Sequence, residues 1–305
     1  MTSSQRALRN CLVGAVAAAA TIALCLWPAA VSAAEQQAGK PALENPFFAL
    51  CVTADKGGFV SGAELAPVLK ELGYAGYAHV FLSGVPEALK ALDDAGLKMF
   101  QVYVRVSVAE GKRKYDPRLK EVVKLLKGRG TMLGLLISGG KPSSAELDPR
   151  AVEIVREIAD MAAQSGLRVA LYPHVGDWLE RVEDAVRVAK KVDRKNVGIN
   201  FNLCHWLKVD DEANMEPLLK AAVPHLFTVT INGADSGCKG AGWDRLLQRL
   251  DRGSFDNARL LSTLRKLGYT GPVGVQCYGI KGDRRENLRA AMQAWQKISA
   301  KAAEK

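Results

Sequence analysis

Short apolar runs alternate with amphipathic stretches along most of this chain. Each run has the length of a strand, and in the stretches between them apolar residues recur three or four positions apart, as in a helix. Ser61 stands as a cap before one such stretch, and Gly96 ends another. The pattern predicts eight strands and eight helices in alternation. The predicted strands lie at 47–53, 76–84, 99–108, 131–138, 226–235 and 271–279, with two more within 168–206.

The predicted strands are too apolar to leave either face of the sheet in water. Such strands form parallel sheets covered by helices, either as a closed barrel or as an open, doubly wound sheet. The chain has neither GxGxxG nor GxxxxGK[ST] after its first strand, so the main support for a nucleotide-binding open sheet is missing. Eight units favour closure. We therefore predict a single-domain (β/α)8 TIM barrel over residues 47–305.

The first part of the chain has a different character. Two arginines precede an apolar segment, Leu12–Trp27, and the small residues at 31–33 resemble a cleavage site. The pattern predicts a secretory signal peptide over residues 1–34 and a leader over residues 35–46. A membrane anchor is the weaker interpretation because no stop-transfer pattern follows. We therefore expect an exported protein, periplasmic or secreted, that has no membrane association after cleavage.

The formal net charge is +10 at neutral pH, and a basic balance can indicate nucleic-acid binding. Here the lysines and arginines are spread over the predicted helices instead of clustering in an arm. This distribution is typical of solvated helix surfaces, so we expect no nucleic-acid partner.

Four cysteines remain after the predicted cleavage: Cys51, Cys204, Cys238 and Cys277. They are widely spaced and include no CxxC pair, which argues against a zinc site of the knuckle type. Two disulfides and four buried thiols are both compatible with this spacing.

The strongest candidates for chemistry lie in one predicted strand–helix–strand unit, from Arg168 to Trp206. The carboxyl ends of all strands of a parallel barrel face one mouth. His174 follows the fifth strand and His205 follows the sixth, so the sequence predicts that both histidines meet there. We assign them as the candidate catalytic residues, base and acid in either order, because imidazole transfers protons near neutral pH.

Amide, cationic and aromatic side chains accompany these histidines at the predicted mouth. Together they suit the hydroxyls and the C–H face of a sugar, although amides can also anchor loops and indoles can simply pack. Arg105 lies inside the apolar run VYVRVSV, so it must enter the mouth or pair with an acid. The candidate substrate-binding residues are Arg105, Trp178, Asn202, Trp206, Asn232, Gln276, Tyr278 and Lys281.

Three segments carry a resemblance to a known family. The segments NVGINFNLCHWL, LYPHVGDW and GSFDNARLLSTLRKLGYTGPVGVQCYG stand where the xylose isomerase-like barrel superfamily has its most specific motifs. That superfamily includes sugar phosphate isomerases and epimerases and AP-endonuclease-type enzymes. The resemblance covers essentially the whole chain after the leader. It implies the barrel fold and chemistry on sugars.

The resemblance also implies where a divalent metal would bind. Metal-dependent members take Glu, Asp, His and Glu ligands from four strand ends, and the corresponding positions here are Tyr172, Asn202, Thr230 and Gln276. None of these is a carboxylate or an imidazole, although amides can bind hard cations weakly. We therefore predict no metal site and no cofactor.

Two interpretations of function follow. In the first, an isomerase- or epimerase-like enzyme removes a proton beside a sugar carbonyl without the divalent metal; elimination from a keto-sugar is a variant of the same chemistry. In the second, a barrel that has lost its metal site only binds a carbohydrate. Both predict a small-molecule carbohydrate as the partner. The sugar, the stereocentre and the oligomeric state stay open.

Overall fold

Eight parallel strands close into a barrel in the computed structural model of this chain, which describes residues 42–52 and 61–304. Each strand pairs with the next one in the sequence, and the eighth pairs with the first. The predicted (β/α)8 architecture is therefore confirmed. The predicted signal peptide (1–34) and residues 35–41 of the predicted leader lie outside the described residues.

The strands are shorter than most of the apolar runs that predict them, because those runs continue into the loops of the mouth. Their bounds are β1 (Phe47–Leu50), β2 (Gly76–His79), β3 (Lys98–Ser107), β4 (Met132–Ser138), β5 (Arg168–Leu171), β6 (Val197–Asn202), β7 (Leu226–Ile231) and β8 (Val273–Gln276).

Ten α-helices and three 3-10 turns lie within the described residues, two α-helices more than the pattern predicts. The helices are α1 (Gly62–Glu71), α2 (Val85–Ala95), α3 (Leu119–Leu125), α4 (Asp148–Ala163), α5 (Val182–Val192), α6 (Leu203–Val209), α7 (Met215–Ala222), α8 (Trp243–Leu246), α9 (Asn257–Lys266) and α10 (Arg284–Glu304). None of these described helices is both long and apolar enough to cross a membrane.

The two additional helices, α6 and α8, are short and follow β6 and β7 at the mouth. Helix α6 begins directly after β6 because the Asn202 side chain caps it: its Oδ1 accepts a hydrogen bond from the His205 amide at 3.3 Å. His205 therefore lies in the first turn of a helix, at a fixed distance from the strand end.

Side chains alternate between two environments along β3. Val102, Val104 and Val106 pack in the large apolar layer between the sheet and the helices, while Tyr103 belongs to a smaller cluster inside the barrel. Arg105 follows Tyr103 by two positions and shares its face of the strand. The alternation thus brings this arginine to the inner side of the mouth.

Aromatic rings fill the barrel interior next to glycines on neighbouring strands. A Cβ at Gly134 would lie 2.7 Å from the Tyr103 ring, and a Cβ at Gly274 would lie 2.5 Å from the Phe48 ring, so a larger residue at either position would displace a ring. The interior is thus a packed core, and its upper layer forms the floor of the mouth.

The described cysteines form no disulfide. Cys204 and Cys238 are buried. Burial raises the pKa of the Cys204 thiol to about 12, so this thiol stays protonated at neutral pH.

Candidate functional site

A cavity of about 770 Å³ opens at the carboxyl ends of the strands. Its floor is formed by side chains of the inner cluster, including Leu50, Tyr103, Leu136 and Tyr172. Its walls come from loops that follow β2, β5, β7 and β8 and from the first turn of α6. The volume is within the usual range for small-molecule sites.

Six of the ten residues that the sequence predicts for the site line this cavity. The lining contains both histidines, the arginine of β3 and three residues at or after the end of β8. They are Arg105, His174, His205, Gln276, Tyr278 and Lys281. The other four, Trp178, Asn202, Trp206 and Asn232, are not in the lining.

Trp178 and Trp206, which the sequence predicts as walls of the pocket, lie in the apolar core instead of at the mouth. Their predicted position is therefore wrong. Trp178 is 0% exposed, and its Nε1 donates to the Ser144 carbonyl at 2.8 Å. Trp206 is buried and donates to Asp210 at 3.3 Å across one turn of α6. The backbone turns after each strand direct these rings away from the barrel axis. Trp243, at the start of α8, is the indole that lines the cavity.

The Asn232 amide supports a loop instead of facing the cavity, so its predicted position is also corrected. It is fully buried, and its Nδ2 donates to the carbonyls of Gly233 and Leu246 at 2.7 and 2.9 Å. Leu246 ends the short helix that begins at Trp243. Asn232 thus helps to hold the segment that presents this ring.

His174 and His205 lie in contact at the mouth, with ring centroids 4.1 Å apart. We call them the histidine pair. His174 Nδ1 faces two oxygens, the Val175 carbonyl at 3.1 Å and Asp177 Oδ2 at 3.5 Å. Because both oxygens accept, Nδ1 carries the hydrogen, and Nε2 of His174 holds a lone pair.

Val175, whose carbonyl accepts a hydrogen bond from His174, also donates one to His205 through its amide. The Val175 amide points at Nδ1 of His205 at 3.5 Å, so this nitrogen accepts and the hydrogen resides on Nε2. One residue of the loop after β5 therefore assigns opposite tautomers to the two rings. No hydrogen bond to either Nε2 comes from the residues that the structure describes.

Burial keeps both rings neutral near neutral pH. Burial lowers the pKa of His174, and the negative charge of Asp177 opposes this effect in part. The pKa of His205 falls well below its ordinary value, first through burial and then through the nearby His174. A neutral pair can offer one lone pair and one N–H donor at the same time.

Arg105 and Asp177 form an ion pair beside the histidine pair. Arg105 Nη1 lies 2.8 Å from Asp177 Oδ2, the same oxygen that faces His174. Arg105 thus both enters the mouth and pairs with an acid, the two outcomes that its sequence position allows. The sequence places Asp177 at the same strand end as His174, three residues later, but assigns it no role in the predicted site.

The four positions that the resemblance assigns to metal ligands form what we call the amide–hydroxyl network. Asn202 Nδ2 donates to the Tyr172 hydroxyl and to Thr230 Oγ1, both at 2.7 Å, and the Tyr172 hydroxyl also interacts with the Gln276 side chain. Asn202 Oδ1 accepts from the Cys204 thiol at 3.1 Å as well as from the α6 backbone.

The donor set of this network does not fit a divalent cation. All four positions are neutral, and the Asn202 side chain uses both of its N–H groups and both of its lone pairs within the protein. Gln276 Oε1 likewise accepts from the Tyr278 amide at 3.1 Å. Among the described residues, no group of three His, Cys, Asp or Glu side chains is placed to hold a metal ion.

Exposed aromatic rings surround the mouth. Phe81, Trp243 and Tyr278 are 44%, 45% and 54% exposed, and all three line the cavity. In the described part of the chain, Leu125 is the one other large apolar side chain with comparable exposure. We call the three rings the aromatic collar. Phe81 also has a positive φ of 67°, a backbone conformation that is uncommon for a bulky residue and is concentrated at functional sites.

A profile of the Xylose isomerase-like TIM barrel family matches residues 68–298. Inosose isomerase of Bacillus subtilis (strain 168) is 24% identical over 145 residues, which are 47% of this chain and 51% of that protein. The match therefore spans about half the length of this relative.

Two solved structures resemble the barrel. The apo 3-keto-D-glucoside 4-epimerase of E. coli has a TM-score of 0.63 and 18% identity, covering 83% of this chain and 99% of its own. A xylose isomerase-like TIM barrel protein from Mycobacterium smegmatis, in complex with magnesium, has a TM-score of 0.61 and 19% identity, covering 84% and 98%. At these identities the likeness shows the fold. Because the family profile covers most of the chain, the protein belongs to the xylose isomerase-like TIM barrel family.

Proposed function

We propose that this barrel is a sugar isomerase or epimerase that moves a proton beside a carbonyl group without a divalent metal. The observation that carries the proposal is the histidine pair, two rings of opposite tautomer whose centroids lie 4.1 Å apart in the wall of a substrate-sized cavity. A base and a donor in contact are the two groups that such a proton transfer requires.

The tautomers support a definite assignment of roles. Nε2 of His174 is the base that takes the proton from the carbon beside the carbonyl. The electron pair of that C–H bond forms the C=C bond of an enediolate, and the carbonyl oxygen takes the negative charge. Nε2–H of His205 donates a hydrogen bond to that oxygen. For isomerisation, the neighbouring hydroxyl gives its proton to the first oxygen and His174 returns its proton to the other carbon, so that the carbonyl moves by one position. For epimerisation, His174 gives its proton to water, and a proton from water reaches the opposite face of the original carbon.

Asp177 is a positioning residue in this scheme. Its Oδ2 faces the Nδ1–H of His174 and so favours the tautomer in which Nε2 is the base. Its negative charge also raises the pKa of His174 against the effect of burial, which strengthens the base.

The proposed substrate is a small carbohydrate. Sugar rings present C–H faces that stack on aromatic side chains, and the aromatic collar offers three such rings around one mouth. Gln276, the last residue of β8, and Lys281, in the loop that follows, line the cavity and add polar groups for contacts with hydroxyls. The relatives named above as inosose isomerase and 3-keto-D-glucoside 4-epimerase make keto-sugars and keto-cyclitols the first candidates.

The proposed chemistry is metal-free because of the donor set. The amide–hydroxyl network has no carboxylate or imidazole to neutralise a divalent ion, and the oxygens of its two amides already accept hydrogen bonds. The positive groups that face the cavity are Arg105 and Lys281, and either can stabilise negative charge on the substrate.

Hydrogen–deuterium exchange tests this proposal against binding alone. The purified protein is incubated in deuterated water with inosose, a 3-keto-D-glucoside, free aldoses and free ketoses, each with and without EDTA. We expect exchange at the carbon beside the carbonyl of at least one sugar, at a rate that EDTA leaves unchanged. Sugar binding without any exchange would favour the carbohydrate-binding interpretation. A rate that EDTA abolishes would overturn the metal-free mechanism, and an eliminated product would favour the lyase variant.

A further inference from the structure

A second cavity of about 550 Å³ adjoins the first on the side of β3. The two cavities share Phe81, Tyr103 and Arg105 in their walls. The rest of the second cavity is formed by the ends of β3 and β4 and by the loop between β3 and α3, from which Arg113 and Arg118 project. A ligand longer than one sugar ring could therefore extend past Arg105 from the first cavity into the second.

The lining of the second cavity is strongly cationic. It contains four cations, Arg105, Arg113, Lys114 and Arg118, and one carboxylate, Asp116. Charge of one sign in a concave surface raises the local concentration of ligands of the opposite sign. The first cavity, in contrast, is dominated by aromatic and neutral side chains.

Three of the four cations form ion pairs within the protein. Arg118 pairs with Asp116 at 2.6 Å, and Arg105 pairs with Asp177 at 2.8 Å. Lys114 bridges Glu153 and Glu157 at 3.0 and 3.1 Å.

Arg113 differs from these three cations. It makes no ion pair or hydrogen bond with any residue in the described ranges, and Asp116 is the carboxylate whose charge it affects. The guanidinium of Arg113 is therefore available to a ligand, with five N–H donors in a planar arrangement that suits a carboxylate.

Hydroxyl groups complete the surface. Ser83 and Ser107 line the second cavity beside the shared Phe81 ring. A sugar unit in this position would meet hydroxyl partners and one aromatic face, as well as the cation. The combination suits an acidic sugar better than a small inorganic anion, since an anion would use neither the ring nor the volume.

We propose that the second cavity is a subsite for an acidic sugar unit, so that the enzyme acts on a disaccharide or glycoside that carries a carboxylate. The reacting sugar occupies the first cavity, and the carboxylate of the second unit binds Arg113. This inference rests on the proposed function for its account of the first cavity. Arg105, at the boundary, contacts both units.

A matched pair of disaccharides tests the subsite. Cellobiouronic acid and cellobiose differ in one carboxylate, and isothermal titration calorimetry measures the binding of each to the full chain. We expect the acid to bind about tenfold more tightly at low salt, and the preference to shrink as salt rises. Equal binding of the two, or no binding of either, would overturn the proposal.

Two variants of Arg113 test whether this residue causes the preference for the acidic disaccharide. Arg113→Gln should reduce the ratio of the two affinities to about one, while Arg113→Lys should retain part of it. Arg265→Gln is the matched control, since Arg265 is an exposed arginine in the last turn of α9, outside both cavities. A preference that survives Arg113→Gln would overturn the assignment. Deuterium exchange with single sugars is a separate readout, so a failure of the subsite is distinguishable from a failure of the proposed function.

Discussion

Two polar clusters lie side by side at the mouth of the barrel and differ in how much of their hydrogen-bonding capacity is used. In the amide–hydroxyl network, Asn202 has a protein partner for every donor and lone pair. In the histidine pair, each Nδ1 has a partner in the loop after β5, and neither Nε2 is hydrogen-bonded by a described residue. The two clusters are in contact, with the rings of Tyr172 and His205 5.8 Å apart.

The difference indicates a structural role for the amide–hydroxyl network and favours a chemical role for the histidine pair. A polar cluster whose hydrogen bonds are all internal stabilises the fold and offers little to a ligand, because any ligand would have to displace an existing partner. A cluster with an unused lone pair and an unused donor at a cavity can transfer a proton. The network is thus better viewed as the support of α6, which carries His205, and the pair as the proposed reactive centre.

The comparison predicts that the removal of either histidine of the pair lowers the rate of deuterium exchange more than any other change. His174→Ala removes the base and His205→Ala removes the donor, and each should lower the rate of deuterium exchange by about 10²- to 10⁴-fold. His225→Ala is the matched control: this histidine lies in a 3-10 turn before β7 and does not line the cavity. Single-turnover exchange rates and circular dichroism would separate loss of chemistry from loss of fold. Full activity in either cavity variant would exclude that ring from the mechanism.

The sequence predicts the barrel and the meeting of the two histidines for the same physical reason. Parallel strands joined by helices all end at one mouth, so residues after β5 and β6 must converge there. The direction of a side chain beyond the strand end is a different problem. Trp178 and Trp206 turn into the core and Trp243 faces the cavity, because the turns that follow each strand set the direction, and apolar periodicity does not encode those turns.

The sequence likewise does not predict the tautomers of His174 and His205. They depend on where the carbonyl and the amide of Val175 point, and a valine between a histidine and a glycine gives no signal of that. The resemblance predicts Tyr172 and Asn202 at two of the positions where metal-dependent members carry ligands. The hydrogen bond between these two side chains could be found only from the structure, since it joins strands 30 residues apart.

A carboxylate introduced into the amide–hydroxyl network tests whether the network can bind a divalent cation. Asn202→Asp removes both N–H donors and buries a charge, so we expect a loss of about 3 kcal/mol in the free energy of unfolding at neutral pH. Burial raises the pKa of the new carboxyl above its unfolded value of about 3.9. The loss should therefore be smallest below about pH 4, where only the lost hydrogen bonds contribute, and grow as the pH rises.

Denaturant unfolding at pH 4 and pH 7, with and without MnCl₂, measures this effect. Asn202→Leu is the comparison variant, because it removes the same hydrogen bonds without adding a charge and should show a loss that does not depend on pH. We expect MnCl₂ to leave the stability of Asn202→Asp unchanged. A clear gain with MnCl₂ would mean that one carboxylate is enough to make the network a metal site.

The smallest predicted effect concerns the residue that orients the histidine pair. Asp177→Asn removes the charge that raises the pKa of His174, so this pKa should fall further below its ordinary value. Exchange requires neutral His174, and its rate falls as the pH drops through that pKa. The acidic limb of the pH–rate profile should therefore move to lower pH. The maximal rate should fall about tenfold, since the remaining imidazole is a weaker base.

Asp93→Asn is the matched control for this change. Asp93 is also paired with an arginine, Arg129, at 2.7 Å, but the pair lies on the outer surface and should affect neither the rate nor the profile. A purely structural role for Asp177 would lower the rate and leave the acidic limb in place. The movement of that limb therefore distinguishes a carboxylate that tunes the base from one that only packs beside it, and with it decides whether the histidine pair works alone or as a unit with Asp177.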